Sequence, residues 1–183
     1  MSVAKHQAKI EQGLRGIEVK IPFPPFFKRQ NVTIFDVETE DLNITVLGFY
    51  HIGDTVIHQV FFPEPISPMV LKATKFFHKN FLQPIRRLAI FNVSHEAGLF
   101  DLDRKQCIEL QPMPYTAKEK YIFIQSLSKA RQIPPWEPKN YKEIAFHNYS
   151  CLIKETILYL GLENFASPSL KSTYLAEVSR IVP

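Results

Sequence analysis

Residues 31–62 read NVTIFDVETEDLNITVLGFYHIGDTVIHQVFF. Val32, Thr33, Ile34, Phe35 and Val37 are strand formers, so a strand is predicted over Asn31–Thr39, running into the acidic stretch Glu38-Thr39-Glu40-Asp41. Ile44–Ile52 and Thr55–Phe62 read as second and third strands, with Gly53-Asp54 as a hairpin-type turn and Pro63-Glu64-Pro65 as the stop. The short connections make these three an antiparallel meander. Strand side chains alternate faces, so Asp36 and Glu38 project from the same face of the first strand. Two neighbouring carboxylates on a partly buried sheet repel each other, and a hard divalent cation with oxygen ligands relieves that repulsion. The plainer alternative is a strand that frays into an acidic loop.

Outward from this block, Ser67-Pro68 offers an N-cap followed by proline at the first helical position. Val70, Thr74, Phe77 and Phe81 recur at helical spacing and are expected to face the core; Pro84 ends that helix. Lys72, Lys75 and Lys79 share another face, either solvated or part of an anion-binding rim. Arg87–Val93 reads as a fourth strand, His95–Asp103 as a loop or helix start, and Cys107–Leu110 as a short fifth strand. The helical crossover allows the fourth strand to lie parallel to the first. Tyr115–Ala130 reads as helical. The proline-rich segment 134–138 is a loop, in which Trp136 either anchors the loop or stacks on a base. Tyr141–Leu160 is a helix that ends at Gly161, with Ile144, Cys151, Leu152, Glu155 and Leu158 in one stripe. One short helix is expected in 164–183. Before the first strand, residues 4–20 read as a short helix and Ile21–Phe27 as an extended connector, since its prolines forbid a helix.

The chain has 183 residues with 45% apolar and 22% charged side chains, which fits one ordinary domain and argues against disorder. No apolar run approaches the ~18–20 residues that span a bilayer, and the N-terminus lacks the apolar core of a signal peptide. A soluble, cytoplasmic protein without a membrane partner is the expectation. Two cysteines are too few for a disulfide framework or a four-thiolate zinc site. No glycine-rich phosphate loop is present, which argues against the P-loop and dinucleotide-binding classes. The net charge of +4 arises within residues 1–31, where Lys5, Lys9, Arg15, Lys20, Lys28 and Arg29 face only Glu11 and Glu18; the remainder is neutral. A basic arm can track a polyanion such as nucleic acid; a solvated terminus is the plainer reading.

The fourth strand leads into Ser94-His95-Glu96-Ala97-Gly98-Leu99-Phe100-Asp101. If it neighbours the first strand, Asp101 becomes a third carboxylate near Asp36 and Glu38, with Asp103 as a rival and an N-cap or turn aspartate as the plainer role. Here a resemblance enters. Phe35-Asp36-Val37-Glu38-Thr39 resembles the Asp-x-Glu first motif of the DEDD 3′–5′ exonuclease superfamily, whose fold is ribonuclease H-like. His95-Glu96-Ala97-Gly98-Leu99-Phe100-Asp101 is similar to its second motif, His-Asn-x-x-x-Phe-Asp, with Glu96 where asparagine is usual. The third motif is Tyr-x-x-x-Asp, or His-Asn-x-x-Asp in a related branch; His147-Asn148-Tyr149-Ser150-Cys151 stands at the corresponding distance, with Cys151 in place of the carboxylate. The resemblance covers about residues 31–160.

The resemblance implies an α/β, ribonuclease H-like mixed five-stranded sheet. Strands 1–3 form the antiparallel meander, strands 4 and 5 run parallel to strand 1, and helices flank the sheet. The division is then 1–30 as a basic arm, 31–165 as the nuclease domain and 166–183 as a C-terminal extension packed on it. It implies metal-dependent hydrolysis of phosphodiester bonds in DNA or RNA, as a 3′–5′ exonuclease, with two Mg²⁺ or Mn²⁺ ions about 4 Å apart. Asp36 would bridge both ions, Glu38 would bind one and orient the attacking water, and Asp101 would bind the other. His147 would orient or deprotonate water. Thr39 and His95 would contact substrate, as would Lys154 unless it is merely solvated. A thiol suits Mg²⁺ poorly, so Cys151 is the departure. Glu155, one turn on and on the same face, is a possible substitute, although a turn shifts the position by ~6 Å. The alternative function is a degenerate nuclease-fold module that binds nucleic acid or a protein partner without cleavage, Cys151 then being a small buried residue.

Overall fold

The computed structural model describes residues 9–11, 14–22, 28–80, 87–110 and 140–160. Lys9–Glu11 (β1) and Leu14–Arg15 (β2) form a small antiparallel pair. Ile17–Pro22 (β3), Val32–Glu40 (β4), Asn43–His51 (β5), Val56–Ile66 (β6), Arg87–Ile90 (β7) and Cys107–Glu109 (β8) build a six-stranded sheet in the order β3-β6-β5-β4-β7-β8. The strands β4, β5 and β6 form the antiparallel meander, β7 is parallel to β4, and β8 is parallel to β7. Helices Pro68–Lys72 (α1), Lys75–Asn80 (α2) and Val93–Leu99 (α3) cover one face, and Tyr141–Leu160 (α4) covers the other.

The two meander turns use positive φ, as tight hairpins require. Asp41 and Leu42 sit at φ 46 and 64 between β4 and β5. Gly53 sits at φ 91 in the next turn, where a Cβ would lie 2.4 Å from the Arg29 Cα. The Tyr50 hydroxyl holds that turn, accepting from the Gly53 N–H at 3.2 Å and donating to the Asp54 carbonyl at 3.2 Å.

Alternation along β4 splits the core into two layers. Ile34, with Val46, Tyr50 and Phe61, packs under Ile144, Tyr149, Leu152 and Ile153 of α4. Phe35 and Val37, with Leu47 and Val60, pack against Leu71, Phe77, Val93, Ala97 and Phe100 on the opposite face. There Phe35 meets Phe100 edge-on at 5.6 Å and Phe77 stacks on Phe100 at 4.8 Å. Burying each of these rings contributes about 1.5–3 kcal/mol.

Several expectations change. Residues 4–20 are not helical where described: Ile17–Pro22 is a strand paired with Val56–Phe61, and its Val19 and Ile21 are buried. The alternation Ile17-Glu18-Val19-Lys20-Ile21 has period two, so pairing to β6 won over a weak helical pattern. Among the described residues the sheet therefore has six strands, one of them inside the segment read as an arm. β6 runs past Pro63 and Pro65 to Ile66. Those prolines are exposed and lie where the β5–β6 register jumps from Val46↔Phe61 to Ile44↔Ile66, so the sheet needs no donor from them. The helix expected from residue 68 is broken into α1 and α2, leaving Val70 51% exposed while Leu71 turns inward. Ser67 makes no side-chain cap; its carbonyl accepts from the Leu71 N–H. The fourth strand stops at Ile90 because the Asn92 side chain accepts from the His95 N–H and starts α3 at Val93. The expectations for Phe81, Pro84, Tyr115–Ala130, Trp136 and 164–183 lie outside the described residues. Among the described residues no helix is long and apolar enough to cross a membrane.

Candidate functional site

Ile144, Cys151, Leu152, Glu155 and Leu158 mark one stripe of α4, yet every residue from Ile144 to Ile157 is buried. That span includes His147, Asn148, Ser150, Cys151, Lys154, Glu155 and Thr156. Polar groups inside a protein are costly unless bonded. Ser150 and Thr156 meet this locally, each hydroxyl donating at 2.7 Å to the carbonyl four residues earlier. Asn148, His147 and Cys151 face the sheet or its end.

Asp36, Gly48 and Gln59 stand in a row across β4, β5 and β6. Asn148 of α4 sits on the notch that Gly48 leaves, since a Cβ there would lie 2.1 Å from Asn148 Oδ1. Gln59 Nε2 donates to the Ala145 carbonyl at 2.9 Å and to Asn148 Oδ1 at 2.8 Å. Asn148 Nδ2 in turn donates to the Asp36 carbonyl at 3.0 Å and to Asp36 Oδ2 at 2.9 Å. The Ala145 carbonyl can only accept, so it fixes which way Gln59 points. Gln59 then fixes Asn148, and Asn148 fixes Asp36 Oδ2 as an acceptor. Asp36, only 6% exposed, is tied into this relay.

Glu38 projects from the same face two residues on. Its strand is irregular there: Glu38 pairs with Val46 and Thr39 with Ile44, so Thr45 is the extra residue of a bulge. The Thr45 hydroxyl donates to the Glu38 carbonyl at 3.1 Å. Bulges end pairing and re-aim side chains. Glu38 Oε1 lies 3.9 Å from His147 Nε2, and the same nitrogen lies 3.4 Å from Cys151 Sγ. One ligand atom from each of Glu38, His147 and Cys151 falls within 4.8 Å of the other two. All three side chains are shielded, with Glu38 13% and His147 3% exposed and Cys151 buried.

The other expected site residues are placed differently. Asp101 belongs to the layer on the opposite face from α4. It sits at φ 48 just after α3, with its N–H bonded to the Gly98 carbonyl and the Leu102 N–H to the Ala97 carbonyl. This is the hydrogen-bond pattern that closes a helix C-terminus. Its side chain is 90% exposed and pairs with Lys72 at 3.6 Å. It is a turn aspartate, at a C-terminus and not at the N-cap. Asp103 accepts from the Lys105 N–H at 2.9 Å. His95 is exposed on α3 and Thr39 is half-buried at the end of β4. Glu155 is fully buried and stands outside the trio. Lys154 is 5% exposed, which corrects the reading of a solvated lysine: burial of α4 on all sides leaves no solvent face at that position.

A pair of Mg²⁺ or Mn²⁺ ions needs several oxygen donors. The convergent group offers one carboxylate, one imidazole and one thiol; Asp36 is not part of it, and Asp101 closes α3. This donor set does not fit that pair. The motifs assign metal to Asp36, Glu38 and Asp101 and leave Cys151 as a degenerate fourth position, so neither the trio of Glu38, His147 and Cys151 nor the roles of Gly48, Gln59 and Thr45 are legible in them. A glycine in mid-strand was the available signal, because it marks close approach of another group. No family model matches the chain, and neither does any curated protein or solved structure.

Proposed function

We propose that this chain is a ribonuclease H-like domain that binds nucleic acid without two-metal cleavage. The observation that carries this reading is the donor set at the end of β4: carboxylate, imidazole and thiol converge where cleavage by paired hard ions needs carboxylates. The ribonuclease H-like assignment is supported by the meander β4–β5–β6 followed by parallel β7 and β8 on the other side of β4. It is also supported by the meeting of the first and third motifs, through Asn148 on Asp36 and His147 beside Glu38. Nucleic acid is the partner favoured by the excess of positive charge in residues 1–31. The test is binding to end-labelled single- and double-stranded DNA and RNA in EDTA, with parallel incubations in Mg²⁺ and Mn²⁺. Binding that weakens steeply with salt, without Mg²⁺- or Mn²⁺-dependent products, is the expected result.

A second reading, metal-dependent 3′–5′ exonuclease activity with Mg²⁺ or Mn²⁺, is favoured by Asp36 and Glu38 sharing one face of β4 beside His147. The same substrates decide between the two. Cleavage that requires Mg²⁺ or Mn²⁺ and is lost in Asp36→Asn overturns the binding reading in favour of the nuclease.

A further inference from the structure

We propose that Glu38, His147 and Cys151 hold a single Zn²⁺ ion, with the fourth position left to water or a ligand oxygen. The inference goes beyond the reading above and does not rest on it, since metal binding is measured without nucleic acid.

The chemistry of the donors selects the ion. A thiolate is a soft ligand, an imidazole intermediate and a carboxylate hard; Zn²⁺ accepts all three, whereas Mg²⁺ and Mn²⁺ prefer oxygen. Zinc bond lengths in a tetrahedral site place sulfur and nitrogen ligands about 3.5 Å apart, and nitrogen and oxygen ligands about 3.3 Å apart. The observed separations are 3.4 Å for Cys151 Sγ to His147 Nε2 and 3.9 Å for His147 Nε2 to Glu38 Oε1. The first already suits a shared ion. The second is longer than a zinc site needs, so ion binding draws the Glu38 carboxylate about 0.6 Å closer to His147.

The geometry also separates a metal site from a Cys–His–carboxylate relay. In a relay one ring nitrogen faces the nucleophile and the other faces the carboxylate. Here both Cys151 and Glu38 approach the same nitrogen, Nε2, so three donors point toward one place. His147 and Cys151 lie one helical turn apart on α4, and Glu38 stands on a strand of the main sheet, so the donors are carried by regular elements. Their burial limits competition from water. The other cysteine, Cys107, is on β8 and packs with the layer on the opposite face of the sheet.

The test uses the full chain stripped of metal by a chelator and titrated with Co²⁺, a spectroscopic probe for zinc sites, then with Zn²⁺. The expected result is a thiolate-to-cobalt charge-transfer band that saturates at one equivalent and is displaced by one equivalent of Zn²⁺. Cys151→Ser should abolish the band, and Cys107→Ser should leave it unchanged. Glu38→Gln should weaken Zn²⁺ binding by about 100-fold or more, beyond the ~10–100-fold that loss of a merely supporting residue costs. Wild-type protein without the band, a band that survives Cys151→Ser, or a band that vanishes in Cys107→Ser each overturns the proposal. A missing band in wild type overturns the proposal whatever the variants do, and each variant is read only where circular dichroism shows it folded; if Cys151→Ser does not fold, a band retained in Cys107→Ser assigns the thiolate to Cys151. Zinc binding without nucleic-acid binding keeps the ion and removes the binding-module reading; nucleic-acid binding without a zinc site does the reverse.

Discussion

A methyl group at position 48 would stand 2.1 Å from Asn148 Oδ1 and 2.7 Å from Leu152 Cδ1. Asn148 cannot simply swing away, because Gln59 holds its oxygen and Asp36 accepts from its nitrogen. At the residue scale, glycine is therefore the condition for α4 to lie close to the sheet. Gly48→Ala is expected to destabilise the fold by about 1–3 kcal/mol, the usual cost of forcing atoms into a packed interior. Urea unfolding measures this as a lower midpoint with an unchanged slope. A midpoint equal to wild type would show that α4 is not seated on Gly48. Asp36 and Glu38 were legible as a same-face pair from alternation alone. Their different fates, one in an amide relay and one beside His147 and Cys151, depend on side chains more than a hundred residues away in sequence.

At the element scale, the helical spacing of Val70, Thr74 and Phe77 placed Thr74 and Phe77 inside but misplaced Val70, because the break between α1 and α2 was not legible. It depends on a local competition. Thr74 donates its hydroxyl to the Leu71 carbonyl at 2.7 Å and accepts from the Phe77 N–H at 3.0 Å, so one side chain both stops α1 and caps α2. Thr74→Ala is expected to cost about 1 kcal/mol, in the range for loss of a helix cap. Thr74→Ser keeps the hydroxyl and should recover most of that loss. Thermal melts of both variants check this, and equal losses in the two would show that packing of the threonine methyl matters more than the cap. The strand Ile17–Pro22 shows the reverse case. Its period-two pattern was present in the sequence, but its partner β6 was needed to decide between a short strand and a weak helix.

At the scale of the whole molecule, two buried tyrosines couple the fold to alkaline pH. Burial pushes the Tyr149 hydroxyl pKa well above the usual tyrosine range. Burial also raises that of Tyr50, partly opposed by the bond from Gly53, with a lesser push from the Asp54 charge. Both are held protonated in the folded state, while unfolded tyrosines ionise near pH ~10. The folded state thus binds more protons above that pH, and stability falls as pH rises. The contribution is full below about pH 10 and is lost progressively above it. Urea midpoints at pH 8, 10 and 11 should decline in that order. Tyr149→Phe should flatten part of the decline, and an unchanged decline in this variant would assign the effect to other groups.

Local patterns alone specify the elements whose turn and spacing signals are strong and whose partners are close in the chain. The meander β4–β5–β6 and the helix Tyr141–Leu160 belong to this class, because alternation, turn residues and helical spacing are local properties. Local patterns also place Asp36 and Glu38 on one face and mark His147 and Cys151 by motif. Only the tertiary structure decided that α4 is buried on all sides and that Asp101 closes α3. Only the tertiary structure brought Glu38, His147 and Cys151 within 4.8 Å of one another. These outcomes depend on contacts between segments far apart in sequence, and such contacts are set by packing and hydrogen-bond satisfaction across the whole sheet, which no local pattern records.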